Sequence, residues 1–146
     1  MENGKIIVEA ELRPTEDEEK VIKAINNVFT CENMEITDQG DYKIIRCSSN
    51  SYKSLNKFHE LLRRQAILDA ARSYFFKRIK GNKLLILLHK QAAYSGKISF
   101  ISWDEESPLG PIKIIIESKD INSVIDWLSP QTVRGKPLWE RGPPKD

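Results

Sequence analysis

A chain of 146 residues with 40% hydrophobic residues is the size of one domain with one continuous core, and 30% charged residues with a net charge of +2 do not by themselves announce a nucleic-acid partner. The longest apolar run, Leu84 to Leu88, is far too short to span a bilayer, and the start of the chain has neither the basic nor the apolar segment of a secretory signal. A cytoplasmic protein without a membrane segment is therefore expected.

The first expected element is a strand. Ile6, Val8, Ala10 and Leu12 alternate with Ile7, Glu9, Glu11 and Arg13, the period of a strand with one face toward a core, and Pro14 ends it. Thr15 followed by Glu18 reads as a capping box opening a helix whose apolar stripe is Val21, Ile22, Ile25, Val28 and Phe29. Glu16 to Glu19 fill its first turn, where negative charge suits the helix dipole, so the acidic run needs no metal. Met34 to Thr37 and Tyr42 to Cys47 follow as a hairpin turning at Asp38 to Asp41. Cys31 and Cys47 lack zinc-ligand spacing and are read as small, reduced hydrophobes.

Ser51 or Ser54 is expected to cap one long helix running to about Ile79 and closed by Gly81 and Asn82. Projected at about 100° per residue, Leu55, Phe58, Leu61, Leu62, Leu68, Phe75, Phe76 and Ile79 face the core. Arg63, Lys77 and Arg78 face outward with Glu60, Arg64 lies at the border with Lys53 and Lys57, and Ile67 and Tyr74 sit among them. Asp69 and Arg72 project onto the apolar side at pairing distance, so Arg72 is read as a structural partner of Asp69.

Three strands, Leu84 to Lys90, Lys97 to Trp103 and Ile112 to Glu117, precede a last helix opened by Ser118 or Asp120, with Ile121, Val124, Ile125 and Leu128 as its stripe. The expected fold is α+β, in the order β-α-β-β-α-β-β-β-α, a mostly antiparallel sheet covered by helices on one face over residues 1–128. Residues 129–146 hold four of the seven prolines and are expected to be an irregular strap or tail carrying Leu138 and Trp139.

Charge is unevenly spread along the chain. Residues 1–50 carry −5, residues 51–100 carry +9 and residues 101–146 carry −2. The basic middle third makes Arg63, Arg64, Lys77, Arg78, Lys80, Lys83, Lys90 and Lys97 the candidate phosphate ligands of an RNA-binding surface, with Tyr74 as a candidate stacking platform. The alternative is a protein-interaction subunit of a larger assembly, using Ile67, Tyr74 and the Trp139 strap, with a homodimer as one form of contact. Catalytic residues, a metal site and cofactors are not expected. His59 and His89 have no triad partners, Asp104 to Glu106 lack the spacing of a calcium loop, and no glycine-rich phosphate loop is present. The group His89, Lys90 and Gln91 reads as a polar turn rather than a catalytic centre.

The stretches His59-Glu60-Leu61-Leu62-Arg63-Arg64-Gln65, Ile67-Leu68-Asp69-Ala70-Ala71-Arg72, His89-Lys90-Gln91-Ala92-Ala93, Glu106-Ser107-Pro108-Leu109-Gly110 and Asp126-Trp127-Leu128 resemble an uncharacterised archaeal family. That family is described as RNA-binding and sometimes as exosome-associated. The resemblance implies a fold like that of the ribosomal protein that binds five-S RNA, an RNA partner and an RNA-processing complex as its setting; it supplies no catalytic residue. The second half also resembles a double-stranded-RNA-binding domain in element order. It departs from that pattern where such domains carry a lysine cluster, reading Ser118-Lys119-Asp120-Ile121-Asn122 instead.

Overall fold

The computed structural model describes residues 4–102 and 110–144. Expectations for Trp103, the acidic turn Asp104 to Glu106 and the segment Ser107 to Leu109 lie outside these residues.

Strand β1 (Lys5–Leu12) follows the alternation of its sequence: Ile6, Val8, Ala10 and Leu12 are buried, while Ile7, Glu9 and Glu11 lie on the more open side. Helix α1 (Glu18–Val28) starts two residues later than a Thr15 cap would place it. The Asp17 carboxylate accepts from the Glu19 N–H and so is the N-cap, and Glu16 is drawn away to a buried ion pair. Strands β2 (Asn33–Asp38) and β3 (Lys43–Ser49) form the expected hairpin, with Gly40 at φ +97° in its turn. A disulfide joins Cys31 to Cys47 with the Cα atoms 5.4 Å apart, which corrects the expectation of two reduced thiols. The pairing arises because β3 brings Cys47 back beside the segment that leads into β2, a proximity that sequence spacing does not reveal.

The expected long helix is two helices. After a 3-10 turn (Tyr52–Leu55) capped by Ser51, helix α2 (Asn56–Arg64) ends where Ala66 takes φ +57°. The Ile67 N–H then donates to the Leu62 carbonyl and the Ala66 N–H to the Arg63 carbonyl, the paired bonds of a Schellman C-cap. Helix α3 (Leu68–Phe76) restarts after the break; Leu68 and Phe75 are buried and Ile79 packs against the core, as the projection places them. Phe76 is exposed rather than in the core, and Ile67 and Tyr74 pack against the core. Gly81 and Asn82 do not close a helix. They are the two-residue turn between β4 (Ile79–Lys80) and β5 (Lys83–Leu88), with Gly81 at φ +64° in the first turn position.

Past β5 comes a short helix α4 (Lys90–Tyr94), capped by the His89 imidazole accepting from the Ala92 N–H. Among the described residues of the expected strand Lys97 to Trp103, only a single bridge forms, Leu88 to Phe100. The Ser99 carbonyl and the Ile101 N–H bond His89 and Leu87 across that bridge, while the side-chain amide of Gln65 bonds the N–H and the carbonyl of Ile98 on the edge turned away from β5. Strand β6 (Ile112–Glu117) and helix α5 (Ile121–Leu128) complete the domain, with Asp120 as the α5 N-cap.

The six strands run in the order β2-β3-β1-β6-β5-β4, and every neighbouring pair is antiparallel. One face carries Ile6, Val8, Ile45, Ile86, Ile114 and Ile116, which are fully buried in one cluster with side chains of α1, α2, α3 and α5. Each such side chain contributes about 1.5–3 kcal/mol over its exposed state. The fold is thus α+β with helices on one face of an antiparallel sheet. In the tail, β7 (Thr132–Val133) and β8 (Lys136–Pro137) form a two-rung hairpin, a regular element where none was expected. No helix among the described residues is long and apolar enough to cross a membrane.

Candidate nucleic-acid interface

Four adjacent strands line up their charged ends on the uncovered face of the sheet. Lys5 of β1 stands opposite Glu117 of β6, Glu117 opposite Lys83 of β5, and Lys83 opposite Lys80 of β4, all four exposed. Residues directly opposed in antiparallel strands share a face, so this rung holds three lysines around one glutamate. The Ser118 N–H donates to the Asn82 carbonyl at 2.9 Å, which sets the start of α5, with exposed Lys119, beside the β4–β5 turn. Exposed Lys77 caps α3 just before β4. Lys77, Lys80 and Lys83 have no ion-pair partner among the described residues.

The other candidates separate from this group. Arg64 is exposed and pairs with Glu60 one turn back, and Lys97 is exposed at the far end of α4. Arg63 is not an outward cation: it donates to the carbonyls of His59, Leu128 and Trp127 and to both carboxylate oxygens of Glu140. Arg78 donates to the carbonyls of Leu85 and Ser102 and lies over the Tyr74 ring. Lys90 is buried at 5% exposure and bonds the Glu16 carboxylate and the Glu11 carbonyl. Burial holds its amine below the ordinary lysine range, against the opposing pull of Glu16. Tyr74 is not a stacking platform, since its ring packs on Phe100 at 4.5 Å and its hydroxyl donates to the Ile101 carbonyl while accepting from the Leu87 N–H. These four corrections have two causes. The break at Ala66 resets the facing of α3 and with it Tyr74, and the long side chains of Arg63, Arg78 and Lys90 reach main-chain carbonyls of their own and neighbouring segments.

Arg72 is structural, as expected, but its partner differs. It pairs with Asp126 of α5 and the Ser129 carbonyl, while Asp69 bonds the Thr132 hydroxyl of the tail. Sequence pattern does not single out Lys5, a member of the basic rung, or Lys119, beside the β4–β5 turn. The alternation of β1 places Lys5 on the outer face, but its alignment with Lys80 and Lys83 depends on sheet order, which no local pattern carries.

The tail lies against α2, α3 and α5. Trp139 has the guanidinium groups of Arg72 and Arg141 over its ring, Arg141 pairs with Asp126, and Glu140 with Arg63. His59 stacks on Trp127 at 5.1 Å, and burial, with Arg63 beside it, pushes its imidazole below the usual range. Among the described residues no group of three or more His, Cys, Asp or Glu side chains is placed to hold a metal ion.

Comparison with known proteins gives one consistent answer. The sequence model of a family described as RNA binding matches residues 5–118. A UPF0201 protein of Sulfurisphaera tokodaii is 52% identical over 142 residues, 97% of this chain and 98% of the relative. This chain belongs to the UPF0201 family. A UPF0201 protein of Aeropyrum pernix is 49% identical over 97% of this chain and 95% of its own length. The crystal structure of the UPF0201 protein from Methanococcus jannaschii superposes with a TM-score of 0.77 at 31% identity, covering 92% of this chain and 98% of that one. The resemblance read from the sequence is therefore correct at the level of the family.

Proposed function

We propose that this UPF0201 protein is a non-catalytic RNA-binding protein that meets phosphates with the lysines around the β4–β5 turn: Lys77, Lys80 and Lys83, flanked by Lys5 and Lys119. The observation that carries the reading is Lys80 standing directly opposite Lys83. Like charges so placed destabilise a strand pair, and an anionic polymer lying across the turn removes that cost. The RNA-binding description of the family and the +9 balance of residues 51–100 support the same class of partner. Arg64 and Lys97, exposed but away from this group, are not counted in that surface. Arg63, Arg78, Lys90 and Tyr74 serve the fold.

With lysines as point charges and no aromatic platform in the rung, the contacts read backbone rather than base sequence. Fluorescence anisotropy against a hairpin RNA and an unpaired oligonucleotide tests this. The Lys77→Ala, Lys80→Ala, Lys83→Ala triple variant should bind both more weakly than the unmodified chain. Its melting temperature should stay level or rise, because the Lys80–Lys83 repulsion is gone. Equal affinity of the variant and the unmodified chain would refute the site.

A further inference from the structure

We propose that β2 is the contact strand between two copies of this chain, joined as an antiparallel ladder centred on Ile36. β2 is one edge of the six-stranded sheet, and all six of its residues are exposed. Met34 and Ile36 stand opposite Cys47 and Ile45 of β3, which are fully buried on the helix-covered face. Opposed residues share a face, so Met34 and Ile36 point to the core side of the sheet, yet they are 38% and 41% exposed. The helical layer ends before β2 and leaves an apolar ledge beside an open strand edge.

Edge strands in monomeric proteins are commonly blunted by lysine, proline or a bulge. β2 reads Asn-Met-Glu-Ile-Thr-Asp, with none of these residues, and its pairing with β3 runs without interruption from Asn33 opposite Ser48 to Asp38 opposite Lys43. The Cys31–Cys47 disulfide further fixes the entry to the strand against β3. The edge is held in register against β3, and its two charges, Glu35 and Asp38, are both acidic.

Charge and facing select the occupant. Glu35 and Asp38 disfavour a nucleic-acid strand along this edge, so the partner is a protein strand that brings an apolar side chain to Ile36 and no acid to Glu35. β2 of a second copy meets both conditions. A two-fold axis normal to the sheet keeps the core sides together, which pairs only residues an even number of positions apart. Centred on Glu35, that symmetry sets Glu35 against its own copy, a like-charge pair. Centred on Ile36, it sets Ile36 against itself, Glu35 against Thr37 and Met34 against Asp38, and no like charges are opposed. β4 is the other edge of the sheet, so this contact leaves the lysine turn of each copy uncovered.

Size-exclusion chromatography with light scattering on the full oxidised chain, from about 1 to about 100 µM, reads the assembly by mass action. The expected result is a species of twice the 16.8 kDa chain mass that Ile36→Lys converts to the single-chain mass, with an unchanged circular dichroism spectrum because Ile36 is exposed. Oxidative cross-linking fixes the register. Ile36→Cys should give a covalent dimer on a non-reducing gel, whereas Met34→Cys, about 13 Å along the strand from its own copy in this register, should not. A single-chain mass throughout the range would overturn the proposal. So would a dimer indifferent to Ile36→Lys, and cross-linking of Met34→Cys as efficient as that of Ile36→Cys would overturn the register.

Discussion

The Arg72 guanidinium lies 3.0 Å from Asp126 Oδ1 and 2.9 Å from the Ser129 carbonyl oxygen, beneath the rings of Phe76 and Trp139. One arginine thus ties α3 to the end of α5 and to the tail. Its side chain is only 20% exposed, so removal leaves a carboxylate and a carbonyl short of a partner. Arg72→Ala should cost about 2 kcal/mol in urea unfolding, with RNA affinity unchanged where the folded form persists. A variant with the stability of the unmodified chain but weaker RNA binding would contradict this role.

The Arg63–Glu140 pair makes tail docking sensitive to acid. The hydrogen bond from Arg63, reinforced by its charge, holds the Glu140 carboxyl below its ordinary value near 4.5, although partial burial opposes this. A carboxyl lowered on folding stabilises the docked tail fully above its unfolded value. That contribution fades as pH falls through the folded value. Melting temperatures of the unmodified chain and Glu140→Gln should therefore differ near pH 7 and converge as pH falls below the ordinary carboxyl value of 4.5. A gap that persists at the acid end would contradict the assignment.

Ala66 occupies a left-handed position that suits glycine, at φ +57°. An L residue there costs about 1–2 kcal/mol relative to its favoured conformation, and glycine escapes most of it. Ala66→Gly should accordingly raise stability by up to about 1 kcal/mol, an unusual sign for a change to glycine near helices. Ala66→Val should lower it. Chemical denaturation of the two variants reads both effects, and destabilisation by Ala66→Gly would show that the break is held by other contacts.

The disulfide spans 16 positions in sequence. Closing a loop of that length stabilises the folded chain by about 3 kcal/mol. Reduction, or Cys31→Ser with Cys47→Ser, should lower the unfolding midpoint accordingly and leave the helices in place. An unchanged midpoint under reducing conditions would mean that the cross-link adds nothing to the packing of β2 and β3.

What the sequence made legible is what periodicity carries. β1, the β2–β3 hairpin and β6 announce themselves by alternation or by β-branched runs, and α1 and α5 by apolar stripes, because one face of each is buried. The α2–α3 break was hidden because alanine is the best helix former and gives no signal of a left-handed residue. The break sets Tyr74 against Phe100, whereas α5 and the tail draw Arg72 to Asp126 and Asp69 to Thr132. The basic character of the middle third was plain in composition, but composition cannot separate Lys83, exposed at a turn, from Lys90, buried against Glu16. The rung of Lys5, Lys80 and Lys83 exists only once sheet order is known.

The salt dependence of RNA affinity tests the central claim most directly. Each phosphate neutralised by a lysine releases condensed counterions, so the logarithm of the binding constant should fall with the logarithm of salt by about 0.7 to 0.9 per contact. The unmodified chain should give a steep slope, the Lys77→Ala, Lys80→Ala, Lys83→Ala variant a slope shallower by about two to three units, and Arg64→Ala a change of at most about one. The absence of salt-sensitive affinity at low ionic strength, or an identical slope in the triple variant, would contradict an RNA interface at the β4–β5 turn.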